Sequence, residues 1–296
     1  MSSNVFNQLL DTLKVKANVF HNGQYCGAWA VDTSGSNLMN FHVVTKGVCS
    51  VDVDGKTVML NKGDAIFMPT DIKHVIRPNP KCDTEVNKAT PQSMLEPIEG
   101  ASTGLVCGHF THQHPIFDKL LAQLPEVIVV KADQAKQDGK IIELILDESK
   151  SSGQSTNFLL NRLSDSLFYV IVRDNINASN GILAAISHPK LGKSIEFIHN
   201  HIDIALTVDL LAENAGMSRS SFSSLFKEVV QLSPADYIIQ WRMTQAYRWL
   251  VDDGISTFDA ALRCGYESEA SFSKAFKRVL GLGPGEARQM NKSKSE

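Results

Sequence analysis

Hydrophobic and polar positions change period along this chain. Up to about residue 130 the apolar positions come in short runs separated by turn signals. Phe41-His42-Val43-Val44 leads to Gly47, and Cys49-Ser50-Val51-Asp52-Val53 leads to Asp54-Gly55, a hairpin pair. Residues 56–60 follow, then Asn61-Lys62-Gly63-Asp64 turns into Ala65-Ile66-Phe67-Met68, which Pro69 ends. The stretch 91–104, rich in Pro, Ser, Glu and Gly, reads as a surface loop, and residues 104–110 read as a further strand. Successive short hairpins predict a small β-barrel or sandwich.

From about Gly139 the period becomes helical. Ile141, Ile142, Ile145 and Leu146 recur at three- and four-residue spacing, and Leu159, Leu160, Leu163, Leu167, Val170 and Ile171 make a longer stripe. Residues 175–181 break it, and His188-Pro189-Lys190-Leu191-Gly192 reads as a boundary. The stripe suits a dimerisation element or relay as well as it suits core within one domain. The expected organisation is α+β: a β-domain over 1–130, a helical linker over 131–187 and an all-α domain over 188–296.

The last hundred residues repeat themselves at a spacing of 49–50. Ala212 meets Ala261 and Gly216 meets Gly265; one extra residue then brings Phe222 to Phe272, Phe226 to Phe276, Lys227 to Lys277 and Pro234 to Pro284. Thr207 and Ser256, both good N-caps, precede the two units at the same place. Each unit reads as cap, short helix, turn glycine, second cap and second helix. Ala212 and Ala261 are small where two helices cross. Opposite Phe222/Phe226 the second helix carries Arg219, Ser220, Ser223 and Ser224; opposite Phe272/Phe276 it carries Glu269, Ala270, Ser273 and Lys274. Short polar side chains let a helix sit deep in a major groove and still reach base edges. Residues 237–250 predict a long helix between the units, which would hold two recognition helices at the ~34 Å spacing of adjacent turns on one DNA face. An ordinary helical bundle explains one such pattern but not two in register.

Composition narrows the rest. The chain has 296 residues, 43% apolar and 21% charged, with 29 Lys+Arg against 32 Asp+Glu. A folded chain of about two domains is expected, and no apolar run approaches a membrane span. The net charge of −3 excludes a globally basic nucleic-acid binder. Residues 188–296 carry 13 basic and 13 acidic side chains, so any DNA contact rests on a local patch. Five cysteines form no CxxC pair, and no export signal is seen at the start of the chain, which sets a reduced cytoplasmic location as the expectation.

Residues 192–290 resemble the DNA-binding domain of AraC/XylS-family transcription regulators. The stretch Ala261-Leu-Arg-Cys-Gly265-Tyr266-Glu-Ser268-Glu-Ala-Ser-Phe272-Ser-Lys-Ala-Phe276-Lys277-Arg278, followed by Gly281, Pro284 and Arg288, carries the likeness; Ala287 departs from it where the family has Tyr. The resemblance implies DNA contacts at Arg219, Ser220, Ser223, Ser224, Ser268, Glu269, Ser273, Lys274 and Lys277. It further implies promoter or operator DNA, RNA polymerase and a second copy of the chain as partners, with activation as the usual outcome.

Residues 63–74, Gly63 to Pro69 to His74, resemble a cupin motif, and His42 stands where the other cupin motif begins. Cupin enzymes hold a metal with three histidines and a carboxylate. Here the second histidine is Val44 and the acid is Val48, which argues against metal-dependent catalysis. Leu105-Val-Cys107-Gly108-His-Phe110 and residues 115–130 resemble the cupin-type sensors of AraC regulators. Three sensing chemistries stand open. Cys107 near a histidine, with Cys26 as resolving partner, would make a redox switch. His42, His74 and Cys107 would hold a soft metal. A small organic effector would fill the barrel with no covalent step. The thiol reading is preferred, although His42 and His74 also read simply as satisfied core histidines. Cys49, Cys82 and Cys264 are assigned no role, and His109, His112 and His114 read as solvated.

Overall fold

The computed structural model describes residues 14–112, 121, 124–134, 137–151, 156–175 and 181–292. His114 and most of 113–123 lie outside the described residues. The chain divides into two compact units, one comprising Val15–His112 with Leu124–Asn175 and the other containing the helices from Ile182 onward.

Among the described residues the first unit carries eight strands: β1 (Lys16–Cys26), β2 (Met39–Lys46), β3 (Val48–Val53), β4 (Lys56–Asn61), β5 (Ala65–Met68), β6 (His74–Arg77), β7 (Ser102–Thr111) and β8 (Ile128–Val130). Helices α1 (Gln137–Glu148) and α2 (Thr156–Asp174) follow. All ladders are antiparallel, in a five-stranded sheet of order β1-β7-β2-β5-β8 and a three-stranded sheet of order β4-β3-β6. The expected barrel is therefore open. Only the single bridge Val31↔Ile76 extends the β6 edge, and among the described residues no ladder joins the two sheets. Tyr25, Trp29, Val44, Val51, Leu60, Ile66, Ile76 and Leu105 form the apolar layer that buries the inner faces.

The outer face of the large sheet is closed by α2. Phe168 packs against Phe67 and Phe110, with ring centroids 5.7 and 5.0 Å apart, and Phe41 stacks on Phe110 at 4.6 Å. Gly108 leaves room for this stack, since a Cβ there would lie 2.5 Å from the Phe41 ring. Helix α2 also covers the free edge of β1. Asp165 Oδ1 accepts from Ala17 N–H at 2.6 Å and Asn161 Oδ1 from Val19 N–H at 2.7 Å. Residues i and i+4 on the helix thus meet i and i+2 on the strand, satisfying donors that an edge strand leaves open. The apolar stripe Leu160, Leu167, Phe168 and Ile171 is buried inside this unit. Leu144, Phe158 and Leu159 are left exposed on α1 and α2.

The second unit is all helical: α3 (Ile182–Ser187), α4 (Leu191–Asn200), α5 (Val208–Asn214), α6 (Arg219–Val230), α7 (Pro234–Val251), α8 (Thr257–Arg263), α9 (Glu269–Leu280) and α10 (Pro284–Lys292). The duplication is literal at the level of hydrogen bonds. Thr207 and Ser256 accept from the N–H three residues on, as do Ser218 and Ser268. Met217 N–H reaches Ala212 O, and Tyr266 N–H reaches Ala261 O. Gly216 (φ 65°) and Gly265 (φ 71°) make the turns in the left-handed region. Phe222/Phe226 and Phe272/Phe276 are fully buried. Helix α7 runs through the unit, burying Met243, Ala246 and Leu250 against α8 and α9. Its Arg242 donates to the carbonyls of Ile202 (2.9 Å) and Ile204, tying the α4–α5 loop to this helix.

Candidate nucleic-acid interface and sensor site

Helices α6 and α9 are each 12 residues long, about 18 Å, the length that crosses a major groove. Their exposure patterns match position for position. Outward on α6 are Arg219, Ser220, Ser221, Ser224, Lys227 and Glu228, with Ser223 half-buried; outward on α9 are Glu269, Ala270, Ser271, Lys274, Lys277 and Arg278, with Ser273 half-buried. All nine positions expected to face DNA are thus exposed or half-buried, on one face of each helix or at its cap. Arg219 pairs with Asp209 of α5 at 3.2 Å. The cap hydroxyls interlock: Ser218 Oγ donates to Ser221 Oγ at 2.9 Å, and Ser268 Oγ to Ser271 Oγ at 2.9 Å. Ala287, where the family has Tyr, is buried in the second unit's core. Its counterpart Tyr237 packs edge-on to Phe226 and hydrogen-bonds His199 Nε2 at 2.7 Å.

In the first unit, strand register brings the sensor candidates together in part. Cys107 of β7 lies directly opposite His42 on β2 and opposite His21 on β1. Cross-strand partners share a face, with Cβ atoms about 5 Å apart, so His21, Cys107 and His42 form one row across the sheet. A bulge between Val19 and His21 sets this register, and for that reason sequence alternation alone does not single out His21. His42 Nε2 approaches His74 Nε2 to 3.1 Å, and Thr33 Oγ1 lies 2.7 Å from His74 Nε2 and 3.4 Å from His42 Nε2. His74 Nδ1–H donates to Ile72 O at 2.8 Å, leaving its Nε2 as the acceptor for the Thr33 hydroxyl. Thr33 is not legible as a partner because it lies outside any strand pattern. His42 Nδ1 and His21 Nε2 are buried without hydrogen-bond partners.

The electrostatics correct one expectation. Burial, and then neighbouring Cys49, push the Cys107 thiol well up, so no lowered pKa follows from the adjacent histidines. Burial, then His74 and His21, hold His42 well below the ordinary histidine value, so its ring is neutral. Burial and then Cys107 raise Tyr25 to about 12. Cys26 does not join the site. It is exposed and opposite Ser102, five residues along β7 from Cys107, which is about 17 Å of strand. A disulfide needs Cα atoms within about 7 Å, so Cys26 is not positioned to resolve Cys107. Cys49 faces the same buried core as Cys107. Among the described residues no three of His, Cys, Asp and Glu are gathered for a metal; His42 and His74 converge, and Cys107 does not complete a set with them.

A β-sheet unit with a row of polar side chains across its inner face, joined in one chain to a duplicated helix-turn-helix with two polar outer faces, defines a DNA-binding regulator with an N-terminal β-domain. Comparison with known families agrees. A family model described as Cupin matches residues 4–177, more than half of the chain, and one described as Helix-turn-helix domain matches residues 211–290. The chain belongs to this cupin family, carries an AraC-type DNA-binding domain, and is an AraC-family transcription regulator. Among its relatives, one named as an AraC-like transcription regulator of Streptomyces lividans is 27% identical over 293 residues, spanning 95% of this chain and 96% of the relative. An uncharacterized HTH-type transcriptional regulator of Haemophilus influenzae is 26% identical over 296 residues (96% and 97%). The RCS-specific HTH-type transcriptional activator RclR of Escherichia coli K12 is 26% identical over 261 residues (86% and 85%). No helix among the described residues is long and apolar enough to cross a membrane.

Proposed function

We propose that this regulator activates transcription from the cytoplasm, as a homodimer that places α6 and α9 in successive major grooves of promoter DNA and contacts RNA polymerase. The observation that carries the DNA reading is the pair of recognition helices with the same exposure pattern and basic side chains on each outer face. Leu144, Phe158 and Leu159 supply apolar surface for self-association. The cupin unit is read as sensor rather than enzyme: the relatives are transcriptional regulators, and Val44 and Val48 stand where a cupin metal centre needs an imidazole and an acid.

The signal is placed at Cys107. Its thiol is protonated at rest, but neutral His42 and the partnerless Nε2 of His21 flank it on the same sheet face. In that row the thiol proton passes to the departing oxygen of the oxidant as the sulfur reacts. A peroxide-class oxidant then transfers one oxygen to sulfur, leaving Cys107 as sulfenic acid and the oxidant as water or alcohol. The naming of one relative as an RCS-specific activator is in keeping with this reading. A second reading rests on the 3.1 Å approach of the His42 and His74 Nε2 atoms, which suits a soft cation or a small polar effector bound beside Thr33. A gel shift on the chain's own upstream DNA, with reduced protein, oxidised protein and oxidised Cys107→Ser, separates the readings. The thiol reading expects oxidation to change binding and the variant to be unresponsive. Equal binding by all three contradicts it, and metal content by mass spectrometry then tests the second.

A further inference from the structure

The two recognition helices are matched scaffolds with unmatched chemistry. Superposed by exposure, Arg219 meets Glu269, Ser220 meets Ala270, Ser224 meets Lys274 and Glu228 meets Arg278, while Ser221/Ser271, Ser223/Ser273 and Lys227/Lys277 are unchanged. The unchanged Ser221 and Ser271 are engaged by the N-cap hydroxyls of their own helices and are poor readers. The remaining readers on α6 are Ser220, Ser223 and Ser224. A hydroxyl donates or accepts with equal ease and so fits any base edge. The one strong cation in the first turn of α6, Arg219, is drawn toward Asp209 on the preceding helix. In the second unit the position equivalent to Asp209 is Phe258, and no acid reaches across to α9 from there. Helix α9 instead exposes Lys274, which pairs with guanine O6 and N7, and Glu269, which can only accept, as from cytosine N4.

We infer that base discrimination is divided unequally: α9 reads sequence through Lys274 and Glu269, and α6 is a base-tolerant docking helix whose serines fit the groove while Lys227 holds phosphate. This rests on the DNA-binding reading above. It assigns this regulator an asymmetric operator, with one strict segment and, one helical turn of DNA away (~10 bp), one loose segment.

The test is selection of full-length protein on a pool of random-sequence duplexes, in reduced and oxidised states, followed by sequencing. The expected result is one segment with strong guanine and cytosine preference, worth roughly five- to hundredfold per position, and a second of weak preference. Lys274→Ala should flatten the guanine position alone. Glu269→Gln should move the cytosine preference to adenine, because a carboxamide pairs with adenine N6 and N7. The triple variant Ser220→Ala, Ser223→Ala, Ser224→Ala should bind every sequence more weakly by a similar factor, leaving the rank order of enriched sequences as in the unaltered chain. Two segments of equal strictness overturn the inference, as does loss of the enriched sequence in the serine variant with an unchanged melting temperature. If the unaltered chain enriches no sequence in either state, the DNA-binding reading itself has failed, and the inference with it.

Discussion

His199 shows how a single side chain ties stability to pH. It lies flush on Trp241, with ring centroids 3.6 Å apart and 5° between planes, and its Nε2 meets the Tyr237 hydroxyl. Burial lowers its pKa to about 3 from an ordinary 6.5. The folded state therefore keeps the ring neutral where the unfolded chain protonates it. Stability is present above pH 6.5 and is lost as pH falls from there toward 3, at about 1.4 kcal/mol per unit, or about 2 kcal/mol by pH 5. The melting temperature of His199→Gln should accordingly depend less on pH between 7.5 and 5 than that of the unaltered chain. Equal slopes would contradict the assignment. At the candidate sensor site, single residues differ in how far the sequence alone discloses them. His42, His74 and Cys107 are legible because each lies in a short stretch that resembles a cupin motif or a cupin-type sensor strand. His21 and Thr33 are not, since one depends on a bulge in β1 and the other on a loop folding over the sheets. The direction of the Cys107 shift runs against the sequence expectation because burial, and then Cys49, raise the thiol, and burial is a property of the packed sheets rather than of the strand.

Among the elements, the duplicated helix pairs are the most legible, because caps, turn glycines and Phe spacing are all encoded within a few residues. The repeat also supplies matched experiments. Gly216 and Gly265 occupy the same turn, but only Gly265 is crowded: a Cβ there would lie 2.7 Å from the Asp203 carbonyl, whereas nothing lies within 4 Å at Gly216. Gly216→Ala should cost about 1 kcal/mol for the left-handed backbone alone. Gly265→Ala should cost at least about 2 kcal/mol, because that carbonyl must also move. Chemical denaturation of the two variants checks the order. The role of α2 is legible only by half. Its amphipathic stripe is plain in the sequence, but its partner is not. Asn161 and Asp165 bind the β1 edge more than 140 residues away in sequence, and nothing local announces such a pairing. Asp165→Ala should destabilise the first unit by about 1–3 kcal/mol by orphaning Ala17 N–H, with Asp165→Asn retaining most of the stability. An equal loss in both variants would show that the hydrogen bond is not the cause. The expected barrel fails to close for a related reason: successive hairpins fix neighbours within a sheet, while joining β6 or β4 to the large sheet depends on long-range ladders that do not form among the described residues.

For the whole molecule, near-neutral charge leaves DNA affinity to a few placed cations. Removing one phosphate-neutralising side chain should reduce the slope of log K against log salt by about 0.9. Lys277→Ala is expected to lower that slope by about one with little change in the preferred sequence, as titrations between roughly 50 and 300 mM salt would show. The tandem units are expected to engage successive major grooves on one DNA face, their separation set by α7. The most direct measurement is binding of the full-length protein to its enriched operator and to a duplex that ends just beyond the strict segment, so that no DNA lies under α6. Loss of the phosphate contacts of one unit should lower affinity at least about tenfold. Equal affinity for the full and the shortened duplex would mean that only one unit grips DNA, and would contradict tandem docking.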